Sequence, residues 1–272
     1  MDTGYQKTEY AAAGFRLTHT VGMDAGRSTI NYPHRNTGQM LLCFIQGSGN
    51  MMMGEKSYRI HAGDVILTDP TQLYHCSIDA NVFHERIVVH IDRDFFQQFP
   101  CDITGLQNQK GCYIGDNAGD LTDRFTELLH LVQQTGPNSQ ILAVCKLAEL
   151  LVRLDEITKT AVSNTPQENR LIDRVLAYLN ENFEKTISVD TVAAQFHITG
   201  SYLSHLFKDH TGLSVWNYVI LRRLQLVNSL MRQGQSTEDA CYRAGFDNYA
   251  NFYRLYKKHL GMTPSQYKKQ AQ

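Results

Sequence analysis

The sequence predicts an α+β multidomain chain: a β-barrel with two helices, followed by an all-α domain built on two helix-turn-helix units. Three observations carry this. Between residue 15 and about residue 100, short apolar runs alternate with Gly, Asp and Pro, the punctuation of a small barrel or sandwich. Near Asp116 the apolar period changes to that of an amphipathic helix. From Arg170 to the end nearly every segment reads as helix, and a short helix, tight turn, short helix pattern occurs twice.

The β segments come first. QMLLCFIQGSGN is an apolar run closed by Gly47, Ser48 and Gly49. KSYRI leads into His61, Ala62, Gly63 and Asp64, followed by VILTDP and later ERIVVHID. Leu121, Phe125, Leu128, Leu129 and Val132 then fall on one helical face, which Gly136, Pro137 and Asn138 interrupt. A second helix places Ile141, Val144, Cys145, Ala148, Leu151 and Leu154 on one side. TAVSNTPQEN is polar, carries Pro166 and lacks a period. The expected division is therefore a domain over 1–160, a linker over 161–169 and a second domain over 170–272.

Composition narrows the class. With 42% hydrophobic and 19% charged residues the chain reads as a globular protein. No run approaches the ~20 apolar residues of a membrane span, and Met1 to Tyr10 lacks a signal-peptide apolar block. Six cysteines, Cys43, Cys76, Cys101, Cys112, Cys145 and Cys241, include no C-x-x-C pair. That argues against a zinc ribbon and for reduced thiols in the cytoplasm. The net charge of −1 conceals an asymmetry: from Glu168 onward there are 13 Lys+Arg against 9 Asp+Glu, so the C-terminal part is basic and the rest acidic. The C-terminal part is the one suited to a polyanion.

In that part, NRLIDRVLAYLNENF gives an apolar face at Leu171, Ile172, Val175, Leu176 and Leu179. Ser188 is placed to cap the next helix, which continues through Val192 and Ala193, and Thr199 to cap the one after it. Leu203, Leu206 and Phe207 turn inward. Ser201, Ser204, His205 and Lys208 remain outside, and Gly212 stops the helix. A longer helix runs to Gly234. The pattern then repeats: a short helix ends at Gly245, and NYANFYRLYKKHLG turns Phe252, Leu255 and Tyr256 inward and Tyr249, Ala250, Tyr253 and Arg254 outward, with Lys257 and Lys258 following.

Residues 170–270 resemble the DNA-binding domain of the AraC/XylS family. The resemblance is carried by SYLSHLFKDHTGLSVWNYV, the Arg223-Leu224 step, AGF at 244–246, NFYRLYKKHLGMTP, and the G-x-T-P-x-x-Y ending from Gly261 to Tyr267. Val227, Ala240, Cys241 and Tyr256 depart from the usual residues, nearly all apolar for apolar. The resemblance implies a linker helix holding two reading helices about one DNA turn, roughly 34 Å, apart in successive major grooves of promoter DNA. Ser201, Ser204 and His205 of the first, and Tyr249, Ala250 and Arg254 of the second, would then face base edges, Arg254 suiting guanine. Lys208, Lys257 and Lys258, with the helix N-termini near Thr199 and Asn248, would hold phosphates.

GDVILTDPTQLYHC resembles the second motif of the cupins, with Gly63, Pro70 and His75 at or near their places, and HRNTGQMLLCFIQG lies over the first. There His34 and Gly47 fit, while Asn36 and Met40 replace two of four metal ligands. The resemblance therefore implies a cupin-like barrel with no metal, no cofactor and no enzymatic role. It would bind a small effector, in this family often a sugar, near His34, Asn36, Met40 and His75. The family reading further implies a homodimer, an activator more often than a repressor, and RNA polymerase as a partner. Two other readings stand beside it: a barrel that serves only dimerisation or a protein partner, and a cupin enzyme with an accessory DNA domain.

Overall fold

A computed structural model describes residues 6–23, 29–31, 39–54, 56–68, 74–92, 95, 106, 112–114, 119–136, 138–160 and 170–270. The N-terminal strands are β1 (Gln6–Ala12), β2 (Phe15–Met23), β3 (Thr29–Asn31), β4 (Gln39–Gln46), β5 (Gly49–Met53), β6 (Lys56–Ile60), β7 (Val65–Thr68), β8 (Tyr74–Ile78), β9 (Phe83–Ile91) and β10 (Cys112–Ile114). Among the described residues they form two antiparallel sheets packed face to face. One is six-stranded in the order β1-β2-β9-β4-β7-β10, the other four-stranded in the order β3-β8-β5-β6. Strand β1 falls in a stretch whose polar sequence gives no strand signal. It is an edge strand, half-exposed along its length and held by its full register with β2.

Period-two alternation divides the larger sheet between two cores. Leu41, Cys43, Val65, Leu67, Ile87 and Val89 face helices α1 (Gly119–Gln133) and α2 (Ser139–Thr160), where Phe125, Leu128, Leu147 and Leu151 meet them. One residue out of step, Met40, Leu42, Phe44 and Ile66 face the smaller sheet and pack on Met51, Met53, Ile60, Tyr74, Cys76 and Ile78. Helix α2 differs from its expected stripe. Ala143, Val144, Leu147, Leu150, Leu151 and Leu154 are buried, while Ile141 is 63% exposed, Val152 37% exposed and Cys145 also exposed. The helix is apolar around much of its circumference, so periodicity alone does not choose which side the sheet takes.

The C-terminal part is helical: α3 (Arg170–Asn182), α4 (Val189–Gln195), α5 (Gly200–Thr211), α6 (Val215–Arg232), α7 (Thr237–Arg243), α8 (Tyr249–Leu260) and α9 (Pro264–Gln270). One core runs through them, from Ile172, Val175 and Leu179 of α3 through Leu203, Phe207, Tyr218 and Leu224 to Phe252, Tyr256 and Tyr267. Met52 of β5 belongs to this core too. The outer face of the smaller sheet is docked on α5: the Asn50 amide donates to the Asp209 carbonyl at 2.7 Å, and the Ser57 hydroxyl donates to the carbonyl of His210. The Tyr218 hydroxyl lies 3.3 Å from the Gly54 carbonyl. The layers therefore run helix pair, large sheet, small sheet, helix-turn-helix domain.

Candidate nucleic-acid interface and effector compartment

Each helix-turn-helix unit is set by local caps. Ser188 and Thr191 form a reciprocal capping box at the start of α4. In the turn that follows, His197 takes a left-handed conformation with φ 57, and the Ile198 amide donates back to the Ala193 carbonyl at 3.1 Å. The Thr199 side chain then accepts from the Tyr202 amide, starting α5, and Gly212 in the left-handed region ends it. Leu203, Leu206 and Phe207 are buried, as their spacing requires, while Ser201, Ser204, His205 and Lys208 are exposed. The Ser204 hydroxyl donates to the Gly200 carbonyl at 2.8 Å, leaving its oxygen to accept from outside. Tyr202, 52% exposed, flanks this surface, and the sequence reading passed over it.

The second unit repeats the device. Ser236 caps α7, Gly245 takes the left-handed turn position with φ 87, and the Phe246 amide returns to the Cys241 carbonyl at 3.2 Å. Asn248 caps α8 by accepting from the Asn251 amide. Phe252 and Tyr256 are buried and Leu255 partly so, while Tyr249, Ala250, Tyr253, Arg254, Lys257 and Lys258 are exposed. The Arg254 guanidinium donates to Asn251 Oδ1 at 3.0 Å, which steadies its stem and leaves other donors for a partner.

The two units are tied into one body at the end of α3. Arg223 of α6 is buried and donates to the carbonyls of Phe183 at 2.6 Å and Lys185 at 2.8 Å. Its guanidinium also lies against the rings of Trp216 and Phe246. Gly245 packs so closely on the same chain end that a Cβ there would lie 2.1 Å from the Glu184 carbonyl oxygen. From the other side, the buried Tyr256 hydroxyl donates to Asn228 Oδ1 at 2.6 Å and fastens α8 to α6.

The expected effector residues separate. Met40 lies between the sheets, with the Tyr74 hydroxyl 3.2 Å from its sulfur. His34 and Asn36 lie outside the described residues. His75 lies on a different face from Met40. Its neighbours Tyr74 and Cys76 point between the sheets, so the pleat turns His75 the other way, next to Gly212 at the end of α5. Burial pushes its imidazole down to about 4, against a smaller opposing effect of a hydrogen bond with the Gly212 backbone. The polar groups that do share the inner face are Thr18 and Thr20 of β2 and Arg86 of β9, paired across strands with Val88, Arg86 and Phe44 respectively. A guanidinium nitrogen of Arg86 sits 3.9 Å from the Cys76 sulfur, and His84, one step along the same face, is fully buried. In FHERIVVHI these residues alternate with Ile87, Val89 and Ile91, a pattern that reads as a solvent face until a second sheet is known to cover it.

The comparisons with known proteins fall on both halves of the chain. A family profile described as the AraC-like ligand binding domain matches residues 21–151, and one described as a helix-turn-helix domain matches residues 192–270. The arabinose operon regulatory protein of Escherichia coli is 24% identical over 245 residues, 88% of this chain and 83% of that protein. The melibiose operon regulatory protein of Escherichia coli is 25% identical over 150 residues, half of each chain. The crystal structure of the AraC-like transcriptional activator CuxR covers 89% of this chain and 86% of its own, with a TM-score of 0.46 at 14% identity. Among the described residues no helix is long and apolar enough to cross a membrane.

Proposed function

The chain belongs to the AraC family of DNA-binding transcription regulators with a ligand-binding domain, and from that premise we propose an activator switched by a small effector, a sugar or sugar derivative, held between its two sheets. The observation that carries the effector reading is the mixed inner surface: Thr18, Thr20, Tyr74, His84 and Arg86 set among Met40, Leu42, Met51 and Met53. Apolar walls with a few fixed hydroxyl, imidazole and guanidinium groups suit a polyhydroxylated ligand. His34 and Asn36 belong to the same proposal. The names of two relatives supply the first probes. In a thermal-shift screen with L-arabinose, melibiose and other carbohydrates, one sugar is expected to raise the melting temperature and to change retention of promoter DNA. If no carbohydrate does either, the barrel serves dimerisation or a protein partner instead.

DNA reading is assigned to Ser201, Ser204, His205, Tyr249, Ala250 and Arg254, and phosphate contact to Lys208, Lys257 and Lys258, all of them exposed on α5 and α8. On a site selected from random DNA, Arg254→Ala is expected to lose about 1–3 kcal/mol at one base position and to relax preference there. Lys257→Ala should weaken all sequences alike and lower the salt slope by about one. Equal losses for Arg254→Ala on selected and random DNA refute its assignment.

The proposed homodimer forms through α2. Ile141, Cys145, Ala148 and Val152 recur at the 4-3-4 spacing of a coiled-coil seam, Ala148 half-buried at the margin of the core beneath the helix pair and the others exposed. Ile141→Asp with Val152→Asp is expected to convert the sedimenting species from two chains to one. A double variant that still sediments as two chains places the interface elsewhere. RNA polymerase is the further partner that an activator needs.

A further inference from the structure

Strands β5 and β8 touch two compartments at once. On one face Met51, Met53, Tyr74, Cys76 and Ile78 belong to the cluster between the sheets. On the other, Met52 lies in the core of the DNA-binding domain, and His75 and Ser77 close on Gly212. The register sets Met52 opposite His75 and Asn50 opposite Ser77, so these four form one patch. That patch, with Ser57, meets the end of the first reading helix. Asn50 and Ser57 donate to the carbonyls of Asp209 and His210, two of the last four that a helix leaves without internal partners. The approach leaves no clearance: a Cβ on Gly212 would lie 2.6 Å from the Ser77 Cβ and 2.9 Å from His75 Nε2.

The contact also carries its own opposition. The His75 imidazole is fully buried against the Gly212 backbone. Separation of the domains would hydrate both nitrogens, whereas docking buries Met52 and caps α5. Gains and losses of similar kind on either side make a two-state element, which a ligand can bias only if it favours one arrangement.

We propose that β8, with β5, transmits effector occupancy to the first reading helix, because the strand is one residue thick between the effector compartment and the Gly212 end of α5. A ligand that displaces Tyr74 or Cys76 must move His75 and Ser77, which sit on the same backbone and have no slack against Gly212. The α5 reading face stays exposed in the docked arrangement, so docking controls how the helix is held and presented and does not cover it. This rests on the reading that an effector enters between the sheets, but its test uses no effector.

The test is amide hydrogen exchange on the full chain. Met52→Asp changes only the outer face of β5, and it is expected to lower protection of amides 208–213 by about tenfold while β9 and α1 keep theirs. The milder pair Asn50→Ala with Ser57→Ala should move the same amides in the same direction. Cys76→Ala opens space on the inner face and should alter exchange at 208–213. Cys43→Ala, buried beneath the helix pair, should not. Unchanged protection at 208–213 in both outer-face variants removes the docking contact. Equal effects of Cys76→Ala and Cys43→Ala remove the transmission. The carbohydrate screen judges the effector reading separately.

Discussion

Gly245→Ala is expected to unfold the DNA-binding domain under conditions where the parent chain is fully folded. Two effects add. The residue has φ 87, a conformation that costs an L side chain on the order of 1 kcal/mol. The larger effect is steric: the new Cβ would stand 2.1 Å from the Glu184 carbonyl oxygen, and that partner is backbone. The end of α3 must therefore move, yet it is fixed on both sides of Glu184 by Arg223, bonded to Phe183 and Lys185. Breaking charge-assisted bonds to buried carbonyls brings the total to about 4 kcal/mol or more. The single tryptophan, Trp216, sits against Arg223 and reports on this domain by fluorescence during urea unfolding. Gly234→Ala is the control: φ is 90 there, but nothing lies within 4 Å of the added carbon. It should show the backbone effect alone. If the two variants lose the same stability, close packing at Gly245 has no part in joining the helix-turn-helix units.

What was legible in the sequence follows how local the physics is. Ser188, Thr199, Gly212 and Gly245 act within a few residues of themselves, through caps and left-handed turns, and their roles can be read directly. The inward faces of α5 and α8 follow from a 3.6-residue period with little ambiguity. Arg223 was visible only as part of a family pattern, because the carbonyls it binds lie about 40 residues earlier in the chain. His75 was harder still. Its motif position suggests a pocket, but which face of β8 is the pocket depends on register with β5, and its outer face is covered by another domain. Arg86 and His84 were hidden for the converse reason, since a polar alternation cannot reveal that a second sheet covers it.

Acidification is expected to separate the two domains before either unfolds. In the docked arrangement burial holds the His75 imidazole down at about 4. Once the small sheet leaves α5, the same side chain stands on an open sheet face, with the ordinary histidine value near 6.5. Between those limits the separated form binds more protons, so docking is fully favoured above about pH 6.5 and weakens as pH falls toward 4. The gap corresponds to something on the order of 3 kcal/mol at the acid end, all of it acting against docking. The charged groups around the contact are Lys56 and the Arg59–Asp79 pair on the sheet side, with Lys208, Asp209 and His210 on the helix side. His90 and His259 are also held low by burial, but they lie outside this contact and act on folding. Small-angle scattering on the full chain from pH 7.5 to 4.5 should show the radius of gyration rising, with secondary structure by circular dichroism retained. His75→Asn keeps a polar side chain of similar reach without the titration and should flatten that rise. A rise of equal size in His75→Asn would show that some other group drives the separation.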